Sequence, residues 1–304
     1  MNKLKKWVCM MLSLMLVMSL AGCISSGTQK PIIDNATQGN TTVQLASTET
    51  TSAPQEKAVT IENTVLIEKD GVVITAKELV KDAIWGLGVK VLIENNTDKN
   101  ISVSLRSLVV NNYMITDLFS SSVAAGKKAN DTMYLSSAAL EAAGIETISD
   151  IAMVFHIYNS DTYEGIFDSD EIELKTSAYG MVEQAAADDG KELYNKDGIR
   201  IVGKYVSENS FWGAGVLLFI ENKYGSNITV QVDNMSINGF MVNPIFSCNV
   251  NDGRMALSDI TIMSTDLEAN DITSVDTIEL SFRVFNTSTF TGIVETDPIT
   301  FETN

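Results

Sequence analysis

Few side chains in this chain of 304 residues have the type and spacing that chemistry needs. His156 is the only imidazole. It follows Phe155 in an alternating run, so it points away from the core, and period-two alternation supplies no orienting partner for a general base. Serines and aspartates are plentiful, but there is no Gly-x-Ser-x-Gly elbow and only one histidine to serve a triad. No Gly-x-x-x-x-Gly-Lys loop is present to cradle phosphate. One histidine and three cysteines leave little for a Cys/His zinc site. The acidic run Asp161, Glu164, Asp168, Asp170, Glu171 and Glu173 offers hard oxygen atoms to Ca²⁺, with Asp161, Asp168 and Asp170 as candidate ligands. Its spacing matches no EF-hand loop, and a solvated acidic edge that discourages strand pairing is the plainer reading. Lys and Arg number 21 against 39 Asp and Glu, a formal charge of −18, which argues against a nucleic-acid partner. A non-enzyme without a cofactor is expected; an envelope hydrolase, dependent on His156 or an acidic pair, is a remote alternative.

The N-terminus carries the clearest address. Lys3, Lys5 and Lys6 precede an apolar run from Trp7 to Leu20, the n-region and h-region of a signal peptide. The run is shorter than the roughly 20 apolar residues that span a bilayer. It ends in Leu20-Ala21-Gly22-Cys23, which resembles the lipobox of bacterial lipoproteins. That resemblance implies cleavage between Gly22 and Cys23, diacylglycerol on the Cys23 thiol, and a place on the extracytoplasmic face of the cell membrane. Removing the signal takes away three lysines, so 18 basic residues face 39 acidic ones and the charge becomes −21. Such a body is repelled by anionic headgroups, and lipid must do the anchoring. Cys9 leaves with the signal and Cys23 carries lipid, so Cys248 is alone and no intramolecular disulfide is expected.

Beyond Cys23 the chain falls into parts. From Ile24 to about Glu62 it is rich in Thr, Ser, Gln and Asn without hydrophobic period, and reads as a disordered tether. A flexible segment of roughly 40 residues has a reach of about 35 Å. The remainder is one module written twice, with an offset of 127 residues. Lys69-Asp70-Gly71 recurs as Lys196-Asp197-Gly198, Trp85-Gly86-Leu87-Gly88-Val89 as Trp212-Gly213-Ala214-Gly215-Val216, and Ile93-Glu94-Asn95 as Ile220-Glu221-Asn222. Asn100-Ile101, Leu140-Glu141-Ala142, Phe155 and Asn159 recur in the same way. The acidic run does not: Asp161 and Asp168 become Ser288 and Glu295, so one copy at most would bind Ca²⁺.

The copies also agree on strands. Val89, Val91 and Ile93 alternate with Lys90, Leu92 and Glu94, and Val216, Leu218 and Ile220 repeat the inward set. Ile151, Met153, Phe155 and Ile157 match Ile278, Leu280, Phe282 and Val284. Asn111-Asn112 and Asn238-Gly239 are hairpin turns that tolerate positive φ. Ser137 ahead of Leu140, and a capping box Thr265-x-x-Glu268, mark one short helix per copy. The expectation is an all-β chain of two tandem immunoglobulin-like antiparallel sandwiches, each with one short helix. The boundaries are a signal peptide at 1–22, the lipidated cysteine and tether at 23–62, a first sandwich at 63–176, a linker at 177–192 and a second sandwich at 193–304. Lys-Asp-Gly-(Val/Ile), the Ile-Glu-Asn strand end, Asn111-Asn112-Tyr113-Met114 and Ala124–Asp131 resemble uncharacterised immunoglobulin-like modules of Gram-positive, mainly clostridial, lipoproteins. That family implies a sandwich outside the membrane and carries over no catalytic residue; the second copy departs at the last motif, reading Asn251-Asp252-Gly253-Arg254-Met255-Ala256.

The candidate contact residues follow from what the copies do not share. Where the first copy has Lys90 and Leu92 facing outward, the second has Leu217 and Phe219, and Phe285 replaces Tyr158 in the same phase. Leu217, Phe219 and Phe285 are therefore candidates for an apolar partner-binding face, which a domain contact would otherwise cover. Trp85 and Trp212 sit in Trp-Gly-x-Gly just before a strand, where the indole either lids the core or forms a sugar-stacking platform. The expected role is non-catalytic binding of an envelope protein or cell-wall component, with Ca²⁺ or small-ligand binding as the alternative.

Overall fold

The structure, a computed structural model, describes residues 29–31, 58–210 and 213–303. Three residues of the tether, Gln29–Pro31, form a strand, β1. The first repeat then builds β2 (Thr64–Lys69), β3 (Val72–Asp82), β4 (Gly86–Asn95), β5 (Ile101–Val110), β6 (Tyr113–Met114), β7 (Ser120–Val123), β8 (Lys128–Tyr134), helix α1 (Ser137–Ala142), β9 (Asp150–Asn159), β10 (Gly165–Asp168) and β11 (Ile172–Lys175). The second repeats the order as β12 (Lys191–Lys196), β13 (Ile199–Ser210), β14 (Gly213–Asn222), β15 (Ile228–Ile237), β16 (Phe240–Met241), β17 (Ser247–Val250), β18 (Met255–Met263), helix α2 (Ser264–Ala269), β19 (Thr277–Asn286), β20 (Gly292–Glu295) and β21 (Ile299–Glu302).

Each copy is a two-sheet sandwich. In the first, β2-β3-β4-β8 faces a sheet in which β5 pairs β6 and β7 at one edge and β9 at the other, with β10 and β11 following β9. The second arranges β12-β13-β14-β18 against β15 and β19 with β16, β17, β20 and β21 in the same way. Consecutive strands pair as hairpins, then switch sheets after β4 and β14, the connectivity of an immunoglobulin-like sandwich. Among the described residues no helix is long and apolar enough to cross a membrane.

Local sequence explains the turns. Asp70-Gly71 and Asp197-Gly198 have φ of 48° and 81°, and 53° and 81°, the left-handed pair that a two-residue hairpin requires. Asn111-Asn112 and Asn238-Gly239 do the same. The repeated Ile-Glu-Asn has a packing reason. Asn95 is fully buried, donating Nδ2 to the carbonyls of Lys99 at 2.8 Å and Val123 at 2.9 Å, which ties the end of β4 to the facing sheet. Asn222 donates likewise to Ser226 at 2.9 Å and Val250 at 2.8 Å. The glycines after each tryptophan answer a local demand: Gly86 takes φ of 80°, which a Cβ would strain, and a Cβ on Gly213 would stand 2.3 Å from the Ile262 carbonyl.

Two expectations need correction. Thr265-x-x-Glu268 forms no capping box, because α2 starts at Ser264 with Met263 at its N-cap and no side-chain cap bond. In the first copy Ser136, one residue earlier than expected, caps α1 by accepting the Ala139 N–H. The tether is also not uniformly free, since Gln29, Lys30 and Pro31 pair antiparallel with Ser207, Val206 and Tyr205 of β13.

The largest correction concerns the outer face of β14. Leu217 is 4% exposed and Phe219 is 0% exposed, so neither offers a free surface. The Phe219 ring meets Tyr113 of the first sandwich edge-on at 6.4 Å, and the Arg200 guanidinium covers it at 5.9 Å. The linker crosses the same face: Ala187 donates its N–H to Tyr113 Oη at 2.6 Å, and buried Lys204 donates to the Ala187 carbonyl at 2.6 Å and pairs with Asp189. Around this plug Arg254 bonds Asn112 Oδ1 at 3.0 Å and Glu171 at 2.6 Å, and β6 and β18 pair in parallel. Phe219, which stands where the first copy has Leu92, therefore packs into the contact between the two sandwiches.

Two outcomes follow. Asn95→Ala or Asn222→Ala removes the buried amide bond to the Val123 or Val250 carbonyl that joins the two sheets, and denaturant unfolding should show a loss of about 1–3 kcal/mol. Phe219→Ala should cost about 3–5 kcal/mol and separate the unfolding transitions of the two sandwiches in calorimetry, since it empties the plug between them.

Candidate functional site

Both copies carry the same row of rings on the outer face of the second sheet. In the first, β9 directs His156 and Tyr158 outward, with ring centroids 5.4 Å apart and planes 24° from parallel. The turn after β9 adds Tyr163, stacked on Tyr158 at 6.4 Å and 22°. In the second, the Arg283 guanidinium lies 5.5 Å from the Phe285 centroid, and Phe290 stacks on Phe285 at 6.1 Å and 29°. All three positions correspond at the repeat offset of 127 residues. Each row thus runs from a cation-capable head through a strand ring to an outer ring.

The turn that carries the outer ring is built by the repeated asparagine. Asn159 Oδ1 accepts the N–H groups of Asp161 at 2.8 Å and Thr162 at 3.1 Å; Asn286 Oδ1 accepts those of Ser288 and Thr289, both at 3.0 Å. Tyr163 then takes φ of 62° and Phe290 φ of 56°. Bulky residues rarely adopt this left-handed conformation, which costs about 1–3 kcal/mol. The cost recurs in both copies and holds a large ring in water: Tyr163 is 80% exposed and Phe290 76% exposed. A row of stacked rings ending in an open face can extend its stack onto a flat or apolar ring face of a ligand.

The heads differ in chemistry. His156 does have an orienting partner, contrary to the expectation from alternation, because the β9–β10 hairpin sets Asp168 directly opposite it. His156 Nδ1 and Asp168 Oδ1 are 2.5 Å apart, and Arg106 Nη2 stands 3.4 Å from His156 Nε2. A guanidinium only donates, so Nε2 accepts and Nδ1–H points to the carboxylate. Burial pushes the Asp168 carboxyl up, but the hydrogen bond from His156 and the charge of Arg106 outweigh it and hold Asp168 below its ordinary value. Ser104 Oγ donates to the His156 carbonyl at 3.5 Å and not to the ring, so this pair activates no serine hydroxyl. In the second copy Arg283 donates to Gln231 Oε1 at 2.9 Å.

The remaining candidates separate. Asp161 accepts from Asn100 Nδ2 at 3.1 Å, Asp168 is held by His156 and Arg106, and Asp170 takes part only through its carbonyl, which accepts from Ser169. Among the described residues no three His, Cys, Asp or Glu side chains converge as a group that could hold a metal ion. Trp85 is 64% exposed and its ring lies tilted by 35° against Tyr134, with centroids 6.0 Å apart; it stands at the β3–β4 tip, which Asp82 shapes by accepting the N–H groups of Ile84 and Trp85. It does not lid the core. Trp212, Gly22 and Cys23 lie outside the described residues. Phe285 remains at the surface, within the second row. Tyr163, Phe290 and Arg106 were not singled out in the sequence, although Tyr163 and Phe290 share a turn motif, Asn-x-x-x-(Tyr/Phe), that the repeat displays. Cys248 is buried, and burial pushes its thiol up to about 12.

No family model and no curated protein matches the chain. Solved structures similar to it include the YadV chaperone, at 12% identity over 76% of this chain and 99% of that one with a TM-score of 0.24. Another is the Salmonella enterica SafA pilin in complex with the SafB chaperone, at 10% identity over 82% and 98% with a TM-score of 0.23. Overlays this loose say nothing of function, and the immunoglobulin-like assignment rests on strand order.

The head geometry sets a pH dependence. With its folded-state value below the unfolded 3.8, Asp168 adds stability that is present above 3.8 and lost as pH falls through the folded value. Asp168→Asn should flatten the fall in melting temperature between pH 5 and pH 2 relative to the parent. Cys248 should resist thiol reagents at pH 8 in the native protein and react at once in denaturant.

Proposed function

We propose that this protein is a lipid-anchored, non-catalytic binding module of the bacterial cell envelope that recognises sugar chains through its two aromatic rows. The observation that carries the reading is the pair of exposed rings, Tyr163 and Phe290, each held at positive φ and each stacked on a strand ring at the same place in both copies. A packing role alone does not account for paying that backbone strain twice to keep a ring in solvent. Sugar rings present flat apolar C–H faces edged by hydroxyls. Tyr163 and Phe290 offer the stacking faces, while Arg106 and Asp168, or Gln231 and Arg283, offer planar polar groups along the row. The charge of −21 expected after signal removal disfavours anionic polymers and leaves uncharged glycans unaffected.

The anchor rests on Leu20-Ala21-Gly22-Cys23 and the h-region before it. Two binding rows on one chain also favour a repeating ligand, because a second contact on the same chain raises avidity without stronger individual contacts.

The test is titration of the mature protein with an N-acetylglucosamine tetramer and with isolated peptidoglycan, beside Tyr163→Ala, Phe290→Ala and the double variant. Each single change should weaken binding about 2- to 10-fold, the worth of one ring contact, with melting temperature little changed, since alanine keeps the Cβ that strains this backbone. Equal affinity in the double variant, or no binding while crosslinking captures a protein through the same rows, would replace the glycan reading with a protein-binding one.

A further inference from the structure

β13 extends past its hairpin partner. It runs from Ile199 to Ser210, but β12 covers its outer edge only from Ile199 to Gly203. Beyond Gly203 an uncovered edge would present unpaired N–H and C=O groups, a template for pairing with other chains. β1 occupies that place, with Pro31 opposite Tyr205, Lys30 opposite Val206 and Gln29 opposite Ser207. A proline, which has no N–H to donate, is tolerated at a sheet edge. The corresponding edge of the first sandwich has no such cover among the described residues: β2 runs only to the partner of Ala76 on β3.

We infer that Gln29–Pro31 is a latch that closes the open edge of β13 and thereby fixes which sandwich faces the membrane. The inference about the membrane rests on the lipid anchor proposed above. Six residue steps separate Cys23 from Gln29, and a fully extended chain spans at most about 20 Å over that distance. A free tether would instead allow a typical reach of about 35 Å before the first sandwich begins. With the latch closed, the β13 edge of the C-terminal sandwich is held within about 20 Å of the bilayer surface, although it comes last in the sequence. The anchor then enters the fold at its second domain, and the first domain joins it through the interface around Phe219.

Cysteine crosslinking tests the latch itself. In a Cys248→Ser background, Lys30→Cys/Val206→Cys should form an intramolecular disulfide rapidly under mild oxidation. Lys30→Cys/Leu79→Cys, which uses the equivalent position of the first sandwich, should form it at least tenfold more slowly. Equal rates for the two pairs, or disulfides formed only between molecules, would overturn the latch. Adding Cys23→Ala separates the two proposals: crosslinking that persists while the protein leaves the membrane fraction keeps the latch, and loss of lipid in the otherwise unmodified chain refutes only the anchor. For the membrane geometry, a dye at Lys191→Cys, opposite Gly203, should show strong energy transfer to a bilayer-surface acceptor. Replacing Gln29–Pro31 by Gly-Ser-Gly should reduce that transfer at least twofold; unchanged transfer would refute the membrane-proximal placement.

Discussion

The arrangement of this chain depends on burying the outer face of β14. Most strands of a two-sheet sandwich keep one face in water, and β4 does so, with Lys90, Leu92 and Glu94 half-buried between fully buried Val89, Val91 and Ile93. β14 has apolar residues in both phases, so it is stable only if something covers its second face. Burying a phenylalanine contributes about 1.5–3 kcal/mol. Tyr113, the Arg200 guanidinium and the linker from Gln184 to Asp189 together give Phe219 that cover. The interface between the sandwiches is therefore the solution to a patterning problem in one strand. The divergence of Lys90 to Leu217 and of Leu92 to Phe219 marks its place.

Polar groups then make the packing specific. Three pairs of asparagines, each pair separated by the repeat offset, terminate a strand, close a hairpin or shape a turn. Asn95 and Asn222 staple one sheet to the other, and Asn111 and Asn238 accept the N–H groups of Ser149 and Thr277 at the start of the neighbouring strand in the same sheet. Asn159 and Asn286 fold the turns that expose Tyr163 and Phe290. Among the described residues every buried side-chain nitrogen and oxygen has a partner. A buried amide that loses its partners costs more than its bonds contribute, so these positions resist change in either copy. That constraint explains why the identities shared by the copies fall so often on Asn and Gly: they preserve architecture, and the chemistry varies around them.

The row heads show that variation. His156 and Arg283 occupy equivalent positions over equivalent rings, yet the first pairs with a carboxylate and the second with an amide. One scaffold thereby presents two rows with different polar heads, an imidazole–carboxylate pair in the first and a guanidinium–amide pair in the second. The outer rings keep the same backbone conformation in both, so the geometry of presentation is shared while the edge chemistry is free to diverge.

Much was determined by sequence alone. The duplication, the alternating strands, the hairpin turns and the helix in each copy are local or periodic properties, and local properties are readable from a single chain. The glycines of Trp-Gly-x-Gly likewise signalled the bend at Gly86 and the close backbone approach at Gly213. What failed depended on contacts distant in sequence. Outward phase left Leu217 and Phe219 open to either a partner or a domain contact, and it is Tyr113 of the first sandwich that meets Phe219. His156 looked unpartnered because Asp168 reaches it only through hairpin register. The pairing of Gln29–Pro31 with β13 is farther still, between a segment with no hydrophobic period and an edge that no local pattern reveals as open. Periodicity determines which side of a strand is apolar; only the assembled sheets decide which sides and edges meet water.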